Sequence, residues 1–172
     1  MRHSLSLEYA AMSEQTRTAA WGIALLRIAL GIMFLAHSLL LKLMTFGLSG
    51  TAAFFHSVGL PGWLAYLTFA VEVVGGLMLV MGIHARLAAA ALAPFMLGAL
   101  VTVHWTNGWV FTAPGGGWEY AAYLLVLCIA QVLLGDGALA LAPSRNLGPA
   151  PKGPLVDGAR PYELHPAVSY DG

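Results

Sequence analysis

The stretch WGIALLRIALGIMFLAHSLLL, residues 21–41, decides the fold. It is apolar from end to end except for Arg27 and His37. Its length matches the ~20 residues that a helix rising 1.5 Å per residue needs to cross ~30 Å of hydrocarbon. Three runs of the same kind follow. One extends from about Trp63 to Ile83, interrupted by Glu72; another, from about Leu87 to Val103, holds no charge; the last, from about Tyr120 to Leu141, carries Gln131 and Asp136 toward its far end. All are continuously apolar and rich in Ala and Leu, unlike the weak alternation of a membrane β-barrel. The expected fold is all-α: an integral membrane four-helix bundle over residues 21–142, after a polar cytoplasmic N-terminus over residues 1–20. Residues 143–172, with repeated Pro and Gly and little apolar content, are expected to form a disordered cytoplasmic tail.

Composition agrees with the runs. Of 172 residues, 59% are apolar and 9% charged, where an ordinary globular chain carries roughly 25% charge. So few charges cannot cover a water-facing surface, and the first partner implied is the lipid bilayer. The formal net charge of zero gives no reason to expect nucleic acid. The single cysteine, Cys128, excludes a disulfide framework and a Cys-x-x-Cys redox pair, and its apolar flanks Leu127 and Ile129 suit a packing role. No cleavable signal peptide is expected, since polar residues including Arg2, Glu8, Glu14 and Arg17 precede the first run.

Basic residues set the orientation. Arg2, Arg17, Arg86, Arg145, Lys152 and Arg160 fall on one side of the four runs and Lys42 alone on the other. The positive-inside rule then predicts both termini in the cytoplasm, and the His84-Ala85-Arg86 turn with them. So tight a turn makes the second and third helices antiparallel neighbours. The first outer connection holds the apolar patch Thr51-Ala-Ala-Phe-Phe55 before Gly59-Leu-Pro-Gly62, and a short interfacial helix is expected there. The second outer connection, Thr106 to Glu119, is rich in Trp, Asn, Pro and Gly.

Charge in hydrocarbon costs roughly 2.5–3.5 kcal/mol per central residue on insertion scales, so the polar residues of the runs carry the functional information. Counting depth puts Arg27 and Glu72 within a turn or two of each other, which suggests an ion pair serving either helix register or substrate handling. His37, His104 and Glu119 fall at similar depth near the outer ends of three helices, framed by Trp105, Trp109, Trp118 and Tyr120, and together suggest a titratable pocket. The bland alternatives are interfacial anchoring for the Trp and Tyr residues, snorkelling for Lys42 and hydrogen-bonded packing for the histidines. Asp136 between two glycines is expected to help end the last helix.

Several segments then resemble one family. Arg27-x-x-x-Gly31-x-x-Phe34-x-x-His37-Ser38 followed by Lys42, Gly59-Leu-Pro61, Glu72-x-x-Gly75-Gly76 with Gly82 and Arg86, Asn107-Gly-Trp-Val-Phe111, Gly115-Gly-Gly-Trp-Glu-Tyr120 and Leu134-Gly-Asp-Gly137 are similar, in order and spacing, to the DoxX family of small bacterial membrane proteins. The resemblance covers about Leu26 to Leu141. One departure is the His37-Ser-Leu-Leu-Leu-Lys42 spacing, one residue longer than the His-Gly-x-x-Lys the family resembles. The resemblance implies a four-helix bundle in the bacterial cytoplasmic (inner) membrane, encoded with oxidoreductases and tied to quinone-linked oxidation of reduced sulfur compounds or to quinone and catechol resistance.

The function expected is therefore a redox-associated membrane protein that binds a quinone or similar aromatic near the outer face, with an oxidoreductase partner. His37 and His104 would hydrogen-bond the carbonyls, Glu119 would relay protons, and Trp105 or Tyr120 would stack on the ring, with Arg27 and Glu72 as further ligand-binding candidates. No flavin, iron–sulfur or dithiol motif is present, so electrons must come from elsewhere, and the residues leave open whether the chain is itself an enzyme. The rival classes are a non-catalytic anchor or assembly subunit, and a small-solute transporter with Arg27 and Glu72 in its pathway. Metal or haem between His37 and His104 ranks below quinone, for want of a third ligand with characteristic spacing. A homodimer is a further expectation for so small a bundle.

Overall fold

A helix satisfies its own backbone where no water can, and the apolar runs accordingly become helices. The computed structural model describes the backbone of residues 2–145 and side chains from residue 14 onward. Among these residues α1 (Arg2–Ala36) continues as a π-helical stretch, His37–Thr45. Then come α2 (Gly47–Ser57), α3 (Trp63–Met81) and α4 (Ala85–Ala99). The last of these continues as a second π stretch, Leu100–His104, and a 3-10 turn, Trp105–Asn107, before α5 (Glu119–Leu134). Three stretches are long and apolar enough to cross a membrane, namely Glu14–Thr45, Trp63–Met81 and Ala85–Asn107, and Glu119–Leu134 is a shorter apolar helix. The outward-facing side chains include Leu25, Ile32, Val74, Leu87, Val101, Val126 and Leu133, a skin suited to lipid. The expected short helix in the first outer connection is α2, which begins four residues ahead of the Thr51–Phe55 patch.

In the interior α1 lies along α3 and α4 along α5, with α3 and α4 also in contact. Leu30, Phe34, Leu79, Ala88, Ala89, Leu92, Leu124 and Cys128 form the core. α1 and α3 cross where both lack side chains. A Cβ on Gly31 would stand 2.7 Å from the Gly76 carbonyl oxygen, and one on Gly76 would stand 2.9 Å from Leu35 Cγ. Close approach of this kind is how helices associate without a hydrophobic driving force between them. Gly31→Leu is expected to cost roughly 1–3 kcal/mol by overpacking, read as a lower melting temperature in detergent. Gly22→Ala, with nothing within 4 Å of the added carbon, is expected to leave it unchanged or slightly raised. Equal effects would show that the crossing is not tight.

The end of the bundle that carries the α3–α4 turn, here the basal end, is closed by arginines that meet helix carbonyls. α3 stops in a Schellman motif, with the Ile83 amide donating to Met78 O at 2.9 Å and the Gly82 amide to Leu79 O at 3.2 Å. Gly82 has φ 69°, and a Cβ there would lie 2.2 Å from Arg27 Nη1, so only glycine fits. Arg27, fully buried, donates from Nη1 to Leu79 O at 2.8 Å and Val80 O at 3.3 Å, and from Nη2 to Ala138 O at 3.1 Å. The expected Arg27–Glu72 ion pair is therefore absent. The guanidinium points to the basal end and bonds carbonyls of the last turn of α3, Val80 O and the Leu79 O that also accepts the Gly82 amide. Arg86 does the same for α5, donating to the carbonyls of Val132 and, at 2.9 Å, Leu133.

Asp136 also departs from expectation. It caps the start of α4 rather than the end of α5, accepting the Ala85 amide on Oδ1 at 2.8 Å and the Ser144 amide on Oδ2 at 2.8 Å. The segment after α5 is folded back to make this contact, with Ala142 N donating to Gly82 O at 3.0 Å and His84 N donating to Ala142 O at 2.8 Å. Pro143 and Ser144, at the start of the expected tail, thus belong to the folded body; residues 146–172 of that tail lie outside the described residues.

Candidate functional site

Between the middle of α3 and the opposite, apical end the bundle holds a buried ion pair. Glu72 sits on the buried stripe of α3 with Ala65, Thr68, Gly75, Gly76 and Leu79. Its Oε2 accepts Lys42 Nζ and Ser38 Oγ, each at 2.5 Å. Both donors come from the π stretch after α1. Counting at 3.6 residues per turn would set Lys42 about 140° round the helix from His37, facing away. The wider turn, with bonds such as Phe46 N to Leu41 O at 2.9 Å, carries i→i+5 pairs onto one face. Lys42 therefore does not snorkel; it is 8% exposed and neutralises Glu72 inside the bundle. α2 is tied to the same place, since Thr51 Oγ1 donates to Lys42 O at 3.2 Å.

Two cavities meet at Glu72. The larger, of about 330 Å³, runs between α2, α3 and α4 and is lined by Phe54, Phe55, Val58, Leu60, Leu64, Pro94, Phe95, Val103 and other small or apolar groups. Its ionisable groups are Lys42, Glu72 and His104. That volume lies within the roughly 300–1,000 Å³ of small-molecule sites. The smaller, of about 40 Å³, is lined by His37, Glu72, His104, Tyr120, Met33, Phe34, Met96, Ala121 and Leu124. It has room for a few waters at roughly 10–15 Å³ each, and not for an aromatic ring. Glu72 and His104 are common to both walls, and His37 also reaches the exterior.

His104 is held by the loop before α5. Its Nδ1 lies 2.9 Å from Gly116 O. Asn107 Nδ2 donates to the same carbonyl at 3.1 Å, to Gly115 O at 2.9 Å and to Val103 O at 2.9 Å. Gly117 packs so closely that a Cβ would lie 2.2 Å from Val110 O, which accounts for a glycine at that position of the loop.

The structure thus brings His37, His104, Glu72 and Tyr120 around one small cavity and adds Lys42 and Ser38, which sequence reasoning missed as site residues. The available signal was the residue count from His37 to Lys42, legible only if a π turn is assumed. Other candidates stand apart. Glu119 lies at the start of α5, where Oε1 accepts the Phe111 amide at 2.8 Å, and lines a separate open cavity of about 500 Å³ with Trp109, Phe111, Tyr120 and Tyr123. Trp105 stacks on Trp118 with ring centres 5.5 Å apart, and lines neither cavity at Glu72. Arg27 is at the basal end. Among the described residues no group of three or more His, Cys, Asp or Glu is arranged to hold a metal ion.

Fold and site together define a small multi-pass helical membrane protein with a charged pair buried beside an apolar cavity. The chain belongs to the DoxX family, whose profile matches residues 22–105. It is 35% identical over 122 residues to a Bacillus subtilis (strain 168) protein named "Putative oxidoreductase CatD", covering 71% of this chain and 85% of that relative. No solved structure matches the chain.

Proposed function

We propose that this protein is a redox-associated subunit of the bacterial inner membrane that binds a quinone-class aromatic in the larger cavity and works with an oxidoreductase partner. The observation that carries the reading is the cavity itself: about 330 Å³, apolar along its length, with Lys42, Glu72 and His104 as its ionisable groups. An apolar wall suits a lipid-soluble ring, and the three ionisable side chains suit its oxygens. The smaller cavity, with His37 between Glu72 and the exterior, supplies a water-sized path for the protons that quinone chemistry exchanges. The name of the Bacillus relative supports a redox role.

In this reading the chain crosses the membrane four times with both termini in the cytoplasm, and the basal arginines lie on the cytoplasmic side. α5, at 16 residues, spans about 24 Å at 1.5 Å per residue, which a modest local thinning accommodates.

The test is to purify the full chain in mild detergent, extract its lipid-soluble contents and identify them by absorbance and mass. Bound quinone is expected in the wild type, and a loss of at least about tenfold in a His104→Ala, Glu72→Gln variant that keeps its helical circular dichroism. A preparation with no quinone and a stoichiometric partner protein would instead make the chain a non-catalytic anchor.

A further inference from the structure

We propose that the cavity prefers the reduced form of its ligand, an aromatic diol, over the oxidised dione. The proposal rests on the ligand reading above and specifies which redox form the site is built to hold.

The argument is one of hydrogen-bond polarity. A dione offers only acceptors, whereas a diol offers two O–H donors. The wall of the cavity supplies acceptors to meet them. Paired with Lys42, Glu72 is a carboxylate, which only accepts. Ser38 Oγ and Lys42 Nζ both end on Oε2. Oε1 receives no hydrogen bond among the described residues, and Glu72 lines the cavity.

His104 is the second acceptor. A carbonyl oxygen can only accept, so the 2.9 Å contact with Gly116 O places the proton on Nδ1. In the neutral ring Nε2 then carries the lone pair. Asn107 fixes this choice from behind. By donating to the carbonyls of Val103, Gly115 and Gly116, it holds the loop where Gly116 O meets the ring. Asn107 is thus a positioning residue, and it gives a physical reason for the Asn107 and Gly115-Gly-Gly117 pattern in the loop.

Two acceptors and one ammonium, itself engaged by Glu72, therefore meet the ligand. A diol can donate to Glu72 and His104 at once. A dione would set lone pair against lone pair at both places and be left with Lys42, since the Thr68 and Thr102 hydroxyls on the same wall donate to the carbonyls of Leu64 and Gly98. Sites built to bond a hydroxyl reject analogues that lack one.

The experiment is equilibrium dialysis of the full chain in detergent, without oxygen, against ubiquinol-1 and ubiquinone-1. The wild type is expected to bind ubiquinol-1 at least about tenfold more tightly. Asn107→Ala, which frees the loop, and His104→Phe, which removes the acceptor, are each expected to bring the ratio toward one. Circular dichroism confirms that each variant is folded. Equal affinities in the wild type, or tighter binding of ubiquinone-1, would overturn the proposal and leave the cavity as a quinone site. An undiminished ratio in both variants would overturn the role given to His104. If neither compound binds, the ligand reading itself fails and this proposal with it.

Discussion

Replacing Glu72 by leucine is expected to destabilise the protein by about 3–5 kcal/mol, because it strands the Lys42 ammonium inside the bundle. Lys42 and Glu72 have side chains only 11% and 5% exposed, so neither can turn to water when its partner is removed. Lys42→Met should cost a similar amount, leaving a carboxylate with only Ser38 for a partner. The double variant Lys42→Met, Glu72→Leu should recover most of the loss, since apolar pairs of similar volume replace buried ion pairs at little cost. Thermal unfolding of all four proteins in detergent completes the cycle, and a strongly non-additive result is expected. Additive losses would mean that the two charges do not depend on each other. The stable double variant is also informative about function, as it keeps the fold while losing two of the three ionisable groups of the large cavity.

Arg27→Leu is the second large effect. Its guanidinium donates to three carbonyls from two parts of the chain, and bonds to a charged donor are worth roughly 1.5–3 kcal/mol each. A loss of at least about 3 kcal/mol is expected. Arg27→Lys should recover only part of it, because one ammonium lacks the fork that serves both the end of α3 and Ala138. The segment after α5 should loosen first, since its Ala138 anchor goes. Limited proteolysis should therefore cut Arg27→Leu faster than wild type between residues 137 and 145. Unchanged cleavage there would show that Arg27 serves α3 alone.

How far the sequence carries is visible in these same residues. Continuous apolar runs leave helices as the only backbone that satisfies itself, so the all-helical architecture, the α3–α4 turn and α2 were legible. So was the presence of an exceptional charge at Glu72. Its partner was not. Depth counting places Arg27 and Glu72 near one another, but a side chain as long as arginine reaches more than a turn along the bundle, and the open carbonyls of a helix end attract it as well as a carboxylate does. Lys42 was misplaced because a lysine at a helix end ordinarily snorkels, and the π stretch that turns it inward to Glu72 leaves no plain mark in the sequence. Asp136 was misread because its amide partners, Ala85 and Ser144, become neighbours only once the chain after α5 folds back. At the apical end, His37 and His104 share a depth and also a cavity, whereas Glu119 shares the depth and is turned to another cavity. Depth is one coordinate; the rotation of each helix about its axis is the other, and a single sequence leaves that largely unspecified.

The π stretch after α1 has a consequence for how such chains vary. An extra residue placed in a regular helix would rotate everything beyond it by about 100° and carry Lys42 away from Glu72. Taken up in the wider turns of the nine-residue stretch His37–Thr45, the same residue leaves Lys42 facing Glu72. The five-residue interval from His37 to Lys42 is then one that the fold accommodates locally. Drift in the number of residues between two functional side chains need not mean drift in the chemistry they perform.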